Sequence, residues 1–277
     1  MKKLLLVLLV VALTSFLFVG CLPGINPTEG EAEICLTKTT PDIKTMTYNI
    51  HHGEGTDGVI DLDRIASVIQ AESPDIVGLN EVDKLTNRSG NVDQAKYLAD
   101  KLGMYHVFGK SIDYDSGEYG NAVLSKTPIN SHTVHLLSNE NDTEQRTCLE
   151  VQTAISGTTI NFFVTHLGLD EEERVTHANQ IKDWAASKTG PKVVVGDWNE
   201  GPTGNAVQAM LTDFRDAFAV AGSGNGYTYA NPNVSQRIDF VFICKDPAAT
   251  ISSCTVPSAT PVPTASDHRP VVSVENW

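Results

Sequence analysis

From Ile43 onward the chain alternates between two hydrophobic periods. Short β-branched and aromatic runs recur at Lys44–Asn49, Ile76–Leu79, Tyr105–Gly109, Asn121–Leu124, Leu149–Ala154, Ile160–Thr165, Val193–Gly196, Ile238–Ile243 and Pro270–Val274, and each reads as a buried strand. Longer stretches space their apolar residues three and four apart. In Leu62–Ala71 the residues Leu62, Ile65, Ala66 and Ile69 share one helical face, and Val92–Leu102, Glu171–Ala186 and Ala206–Leu211 are further helices. So many strands, with so few helices between them, do not fit one flat parallel sheet. The expected class is α/β (α+β), a four-layer sandwich of two packed mixed β-sheets with helices on the outer faces.

The polar residues ending these runs carry the chemistry. Thr47-Tyr48-Asn49 ends on Asn49, Gly78-Leu79-Asn80-Glu81 on Glu81, Val164-Thr165-His166 on His166, and Gly196-Asp197-Trp198-Asn199 supplies Asp197 and Asn199. Ser266-Asp267-His268 precedes the last strand, and Asp239 sits inside an apolar run between Ile238 and Phe240. A single Asn or Asp at a strand end is an ordinary turn or cap residue. Asp239 is different, because a carboxylate among apolar neighbours needs a cation or a donor. A histidine is its natural partner. Hydrolysing a phosphate ester calls for a cation, carboxylates and imidazoles, and all three can be supplied from this set.

In sequence order, Asn49, Glu81, Thr165-His166-Leu167, Gly196-Asp197-Trp198-Asn199, Arg237-Ile238-Asp239 and Ser266-Asp267-His268 resemble the endonuclease/exonuclease/phosphatase family. Asn80 departs from the Gln usual in that family. The resemblance implies a divalent-metal-dependent phosphoesterase. Glu81 would be the principal ligand of Mg²⁺ or Mn²⁺, with Asn49 beside it and Asp267 completing the shell directly or through water. Asp197 would orient or deprotonate the attacking water and Asn199 would bond that water or a phosphate oxygen. His166 and His268, the latter paired with Asp239, would flank the scissile phosphate as donors and general acid or base. Arg146 and Asn121 resemble residues beside the substrate. His51 and His52 adjoin Asn49, but neither has metal-ligand spacing to another histidine, so no zinc site is expected. Among substrates, a nuclease-like phosphodiester comes first, a phospholipid headgroup second and a sugar or inositol phosphate third; a catalytically inactive binding module is the non-enzyme alternative.

Composition modifies this picture at the N-terminus and in the substrate. Lys2 and Lys3 precede an apolar run from Leu4 to Val19, shorter than a membrane-spanning helix needs. Residues 1–20 therefore read as a signal peptide, and Leu17-Phe18-Val19-Gly20-Cys21 resembles a lipoprotein cleavage site with Cys21 as the lipidated residue. Residues 21–42, rich in Pro, Gly, Thr and Glu, read as a tether, leaving 43–277 as one catalytic domain. An exported, membrane-tethered, monomeric protein follows as the expectation. The formal charge of −14 argues against a broad basic face for nucleic acid. Cys35, Cys148, Cys244 and Cys254 are an even set in an oxidising compartment, and the short Cys244–Cys254 loop favours a bridge there. Replacing Cys21 by alanine is expected to move the protein out of the membrane fraction; an unchanged distribution contradicts the anchor.

Overall fold

The computed structural model describes residues 41–277 apart from 141–142 and 246–248. The signal peptide, Cys21, Cys35 and nearly all of the tether lie outside the described residues. The first half of the domain runs β1 (Ile43–Asn49), a 3₁₀ turn (His51–Gly53), α1 (Leu62–Glu72), β2 (Ile76–Lys84), α2 (Gln94–Leu102), β3 (Tyr105–Tyr114), β4 (Gly117–Ser125) and β5 (Ile129–Leu136). The second half runs β6 (Thr147–Ile155), β7 (Thr158–His166), α3 (Glu171–Ala186), β8 (Lys192–Asp197), α4 (Asn205–Met210), β9 (Phe214–Asp216), α5 (Ala217–Ala221), β10 (Asp239–Cys244), β11 (Thr250–Thr255), α6 (Val262–Ala265) and β12 (Val271–Asn276).

Two six-stranded sheets result, ordered β11-β12-β1-β2-β4-β3 and β5-β6-β7-β8-β10-β9. Each is mixed: β1 runs parallel to β2 and β7 parallel to β8, while the other pairs are antiparallel. All nine expected strands and all four expected helices are present, with boundaries moved by a few residues. The strands that the apolar pattern did not reveal, β5, β9 and β11, are all edge strands. β5 buries little, with residues 130–134 all exposed, and β9 has only three residues, so neither leaves much hydrophobic trace in the sequence.

Three apolar layers hold the sandwich together. Met46, Tyr48 and Leu79 of the first sheet pack against Ile65 and Ile69 of α1 and Leu98 of α2. Phe163, Val194 and Phe242 of the second sheet pack against Ala178 and Ile181 of α3 and Val207 and Met210 of α4. Between the sheets, Ile76 and Val123 meet Val151, Phe162, Val164, Val195 and Val241. The helix starts are fixed locally, with the Asp61, Asp93 and Asp170 carboxylates each accepting a backbone N–H of the first turn.

The Cys244–Cys254 bridge expected from the short loop is not formed. Cys244 ends β10 in the second sheet and packs toward α3 and α4, whereas Cys254 lies on β11 of the first sheet and packs between the sheets. Both are buried free thiols, as is Cys148. Closeness in sequence does not bring them together because the chain changes sheets between them.

Gly78 lets β2 approach the second sheet. A Cβ at this position would lie 2.5 Å from Val195 Cγ2 and 2.8 Å from Val164 Cγ2. Gly78→Ala is therefore expected to lower stability by about 1–3 kcal/mol through overpacking. Gly201→Ala, where a Cβ meets nothing within 4 Å, should stay within about 0.5 kcal/mol of the parent. Thermal unfolding of the two variants checks the contrast.

Candidate functional site

The topology delivers the polar strand ends to one edge of both sheets. Parallel pairing aligns Asn49, the last residue of β1, with Asn80 in the middle of β2, and His166 with Asp197 at the ends of β7 and β8. β10 runs the other way, so its first residue, Asp239, pairs with Asp197. Ser266 ties the final motif to β1: its hydroxyl donates to the Asn49 carbonyl at 2.8 Å and accepts the His268 N–H at 3.1 Å.

A β-bulge aims the key carboxylate. Leu79 pairs with Ala122 and Val82 with Gly120, so Asn80 and Glu81 together oppose Asn121. Glu81 takes a left-handed φ of 57° there, and its side chain turns into the pocket rather than along the pleat. Asn80 becomes a clamp between the sheets. Its amide N–H groups donate to Asn121 Oδ1 at 2.8 Å and to the Thr165 carbonyl at 2.9 Å, while its oxygen accepts the Asp197 N–H at 3.1 Å. This is the role of the residue that departs from the family's usual Gln.

Asp197 is the hub, and it is 1% exposed. Its Oδ1 accepts the Asn199 backbone N–H at 2.9 Å, and its Oδ2 accepts Asn49 Nδ2 at 3.1 Å. The same Oδ2 lies 3.5 Å from His268 Nε2 and 3.6 Å from His166 Nε2. Asn49 Nδ2 also reaches Glu81 Oε1 at 3.0 Å. Asn49 thus holds two carboxylates with its amide N–H groups, and its own oxygen is taken by the His51 N–H at 3.0 Å. Behind His268, the Nδ1–H donates to Asp239 Oδ2 at 2.8 Å, the pairing expected from the buried Asp239.

These contacts separate the two imidazoles electrostatically. At His268 burial opposes the cation, but the Asp239 and Asp197 carboxylates outweigh it and push the imidazole up to about 10. At His166 burial dominates, and with Arg146 and His268 nearby it holds that imidazole well below its usual range. Neutral His166 Nε2 then accepts the Asn199 side-chain N–H at 3.1 Å. Burial also raises Asp197 out of the ordinary carboxylate range, against the opposing pull of His268. One cationic donor and one neutral acceptor therefore flank a single carboxylate, a division suited to acid–base chemistry.

The pocket over this cluster encloses about 350 Å³. Its lining includes Glu81, Asp197 and Asp267 as carboxylates, His166 and His268 as imidazoles, and Asn199, but no Lys or Arg. Tyr229, Gln236, Leu169 and Ile238 complete it. Tyr229, whose ring packs 4.7 Å from that of His268, lies on an irregular segment with no readable periodicity. A second cavity of about 120 Å³ shares Glu81 and is lined by Arg88, Tyr114, Tyr119 and Glu144.

Two expected substrate contacts sit elsewhere. Asn121 is 2% exposed and its amide is consumed by Asn80 and by the Thr147 carbonyl at 3.2 Å, so it supports the bulge from behind and does not line the pocket. The Arg146 side chain is largely buried and pairs with Glu144 at 3.2 Å; it acts on His166 through its charge and does not line the pocket. Conversely, His51 and His52, set aside for lack of spacing, do have a partner. One ligand atom from each lies within 4.8 Å of the other and of a Glu81 oxygen. The third donor comes from the neighbouring strand, which spacing within one segment cannot reveal.

Residues 46–268 match the endonuclease/exonuclease/phosphatase family. The chain is 25% identical over 244 residues to the protein YbhP of Escherichia coli (strain K12), covering 82% of this chain and 94% of that protein. An endonuclease/exonuclease/phosphatase from Beutenbergia cavernae DSM 12333 is similar in structure, with a TM-score of 0.71 at 25% identity over 85% of this chain and 72% of the other. A mannosyl-6-phosphatase from Bacteroides thetaiotaomicron VPI-5482 has a TM-score of 0.68 at 21% identity, over 83% and 98%. The human Nocturnin catalytic domain has a TM-score of 0.66 at 20% identity, over 84% and 94%.

The His268–Asp239 pair has a measurable titration. The folded state keeps the His268 proton between the usual 6.5 and about 10 while the unfolded chain loses it. The stabilisation is complete below pH 6.5 and is lost as pH rises toward 10. In EDTA, the His268 ring signals of the wild type are expected to show no titration near pH 6.5, and Asp239→Asn to bring the titration down toward that value and flatten the alkaline loss of stability. A wild-type midpoint near 6.5 contradicts the coupling.

Proposed function

The chain belongs to the endonuclease/exonuclease/phosphatase family, and on that premise we propose that it is a phosphodiester hydrolase that works with a divalent cation held at Glu81. The observation that carries this reading is the charge of the pocket lining. Three carboxylates line it against one cationic imidazole, His268, and no Lys or Arg, so an anionic phosphate would be repelled unless a further cation offsets them. The donor set fits a hard cation: Glu81 and Asp267 offer oxygens, and Asn49 already holds Glu81 in place. When bound, such a cation neutralises charge on the non-bridging phosphate oxygens.

The remaining chemistry falls to the chain's own residues. Asp197 accepts a proton from water as the water oxygen attacks phosphorus, and Asn199 orients that water beside neutral His166. His268, kept protonated by Asp239, donates to the leaving alkoxide as the P–O bond breaks. Orientation and proton placement therefore come from one buried network.

The cavities support a reading of substrate size. A phosphate seated at Glu81 would have room for one substituent in the larger cavity and one in the smaller, which favours a diester over a monoester. The acidic chain and the compact pocket favour small diesters over duplex nucleic acid. This reorders the substrates, since a nuclease-like diester was the first expectation from sequence.

Hydrolysis of bis(p-nitrophenyl) phosphate with Mg²⁺ or Mn²⁺, abolished by EDTA, is the expected result. Glu81→Gln, Asp197→Asn and His268→Asn should each lower the rate by roughly 10²–10⁴. Turnover close to wild type in Glu81→Gln or Asp197→Asn would sink the assignment. A panel of small diesters, sphingomyelin, phosphoinositides, RNA and DNA then ranks the substrates, with small diesters expected first.

A further inference from the structure

The proposed chemistry leaves two imidazoles beside Glu81 unused. His51 and His52 follow Asn49 directly, and one ligand atom of each lies within 4.8 Å of the other and of a Glu81 oxygen. Their hydrogen bonds fix which nitrogen carries the lone pair. His51 Nδ1 lies 3.2 Å from the Glu54 carbonyl, which can only accept, so Nδ1 carries the hydrogen and Nε2 is left as a ligand atom. His52 Nε2 lies 3.3 Å from the Glu54 carboxylate, which leaves Nδ1 with the lone pair. That Nδ1 is buried and has no hydrogen-bond partner, in a residue only 6% exposed. A histidine donating one ring N–H to a carboxylate or carbonyl while its other nitrogen is free is the arrangement found around protein-bound metals.

The backbone is set for this placement at a cost. His51 and His52 both adopt left-handed φ values, 46° and 43°, which non-glycine residues occupy at an energetic penalty. The turn is held by the His51 N–H on Asn49 Oδ1 at 3.0 Å and by the Gly53 N–H on the Ile50 carbonyl at 2.8 Å. Asp267 Oδ1 stands 4.0 Å from His51 Nδ1, so an oxygen donor of the pocket borders the group.

We propose that His51, His52 and Glu81 form a metal site with two nitrogen donors, which gives this enzyme a preference for a first-row transition cation such as Mn²⁺ or Zn²⁺ over Mg²⁺. The inference rests on reading Glu81 as a cation ligand. Imidazole suits Zn²⁺ and its neighbours, whereas Mg²⁺ takes oxygen donors and gives up water reluctantly. Two histidines and a glutamate also leave a coordination position open for water or substrate.

The test uses full-length metal-free protein titrated calorimetrically with Zn²⁺, Mn²⁺ and Mg²⁺, together with pulsed electron paramagnetic resonance of the Mn²⁺ form. The wild type should bind Zn²⁺ more tightly than Mg²⁺ and show nitrogen coupling to bound Mn²⁺. The double variant His51→Asn, His52→Asn, chosen because Asn tolerates left-handed backbone, should lose the nitrogen coupling and at least about tenfold in Zn²⁺ affinity. Its Mg²⁺ affinity should change less than about threefold. Absence of nitrogen coupling in the wild type, which needs no variant to fold, overturns the histidine site. If Mn²⁺ then binds through oxygen alone and Glu81→Gln abolishes that binding, the phosphoesterase reading stands without the histidines. Cation binding that survives Glu81→Gln overturns both.

Discussion

Burying an ionised carboxylate costs several kcal/mol unless donors or cations surround it, and Asp197 and Asp239 are each 1% exposed. The rest of the site can be understood as the set of partners this burial requires. Asn49 and the Asn199 backbone donate to Asp197, while His268 stands between Asp197 and Asp239 and faces both. The cationic state of His268 is therefore a consequence of where two carboxylates were placed, and so is its fitness as a proton donor. His166, with no buried carboxylate behind it, stays neutral under the same burial.

The sandwich makes the arrangement possible. Parallel pairs at the centre of each sheet bring the ends of β1, β7 and β8 and the bulge of β2 to a common edge, and stacking the sheets at Gly78 sets those edges face to face. Asn80 then bonds across the gap, joining the bulge that carries Glu81 to the backbone of Asp197. Glu81 of the first sheet and Asp197 of the second are thereby held in one register. Precise positioning of this kind is what rigid strands supply better than loops do.

Central strands and their polar tips were legible in the sequence because a buried strand shows as an apolar run and its end shows as the first polar residue. Asn49, Glu81, His166 and Asp197 were found this way, whereas His268 was read just before the last strand and Asp239 inside an apolar run, and their pairing followed from the cost of a buried carboxylate. Edge strands β5, β9 and β11 were not legible: β5 is mostly exposed, β9 is only three residues long, and the buried positions of β11 do not alternate regularly. Contacts that depend on the crossing of two segments were equally hidden. The sequence does not show that Asn121 turns inward to support the bulge, that Cys244 and Cys254 belong to different sheets, or that Glu81 joins the His51–His52 pair. Tyr229 and Gln236 reach the pocket from an irregular segment, where neither hydrophobic period applies.

The central claim is that a divalent cation sits at Glu81 where the two sheet edges meet. Anomalous diffraction from crystals grown with Mn²⁺ measures this most directly. The predicted result is a manganese peak bonded to the Glu81 carboxylate within the pocket that also holds Asp197 and His268. A peak confined to other surface carboxylates, with Glu81 uncoordinated, would contradict it.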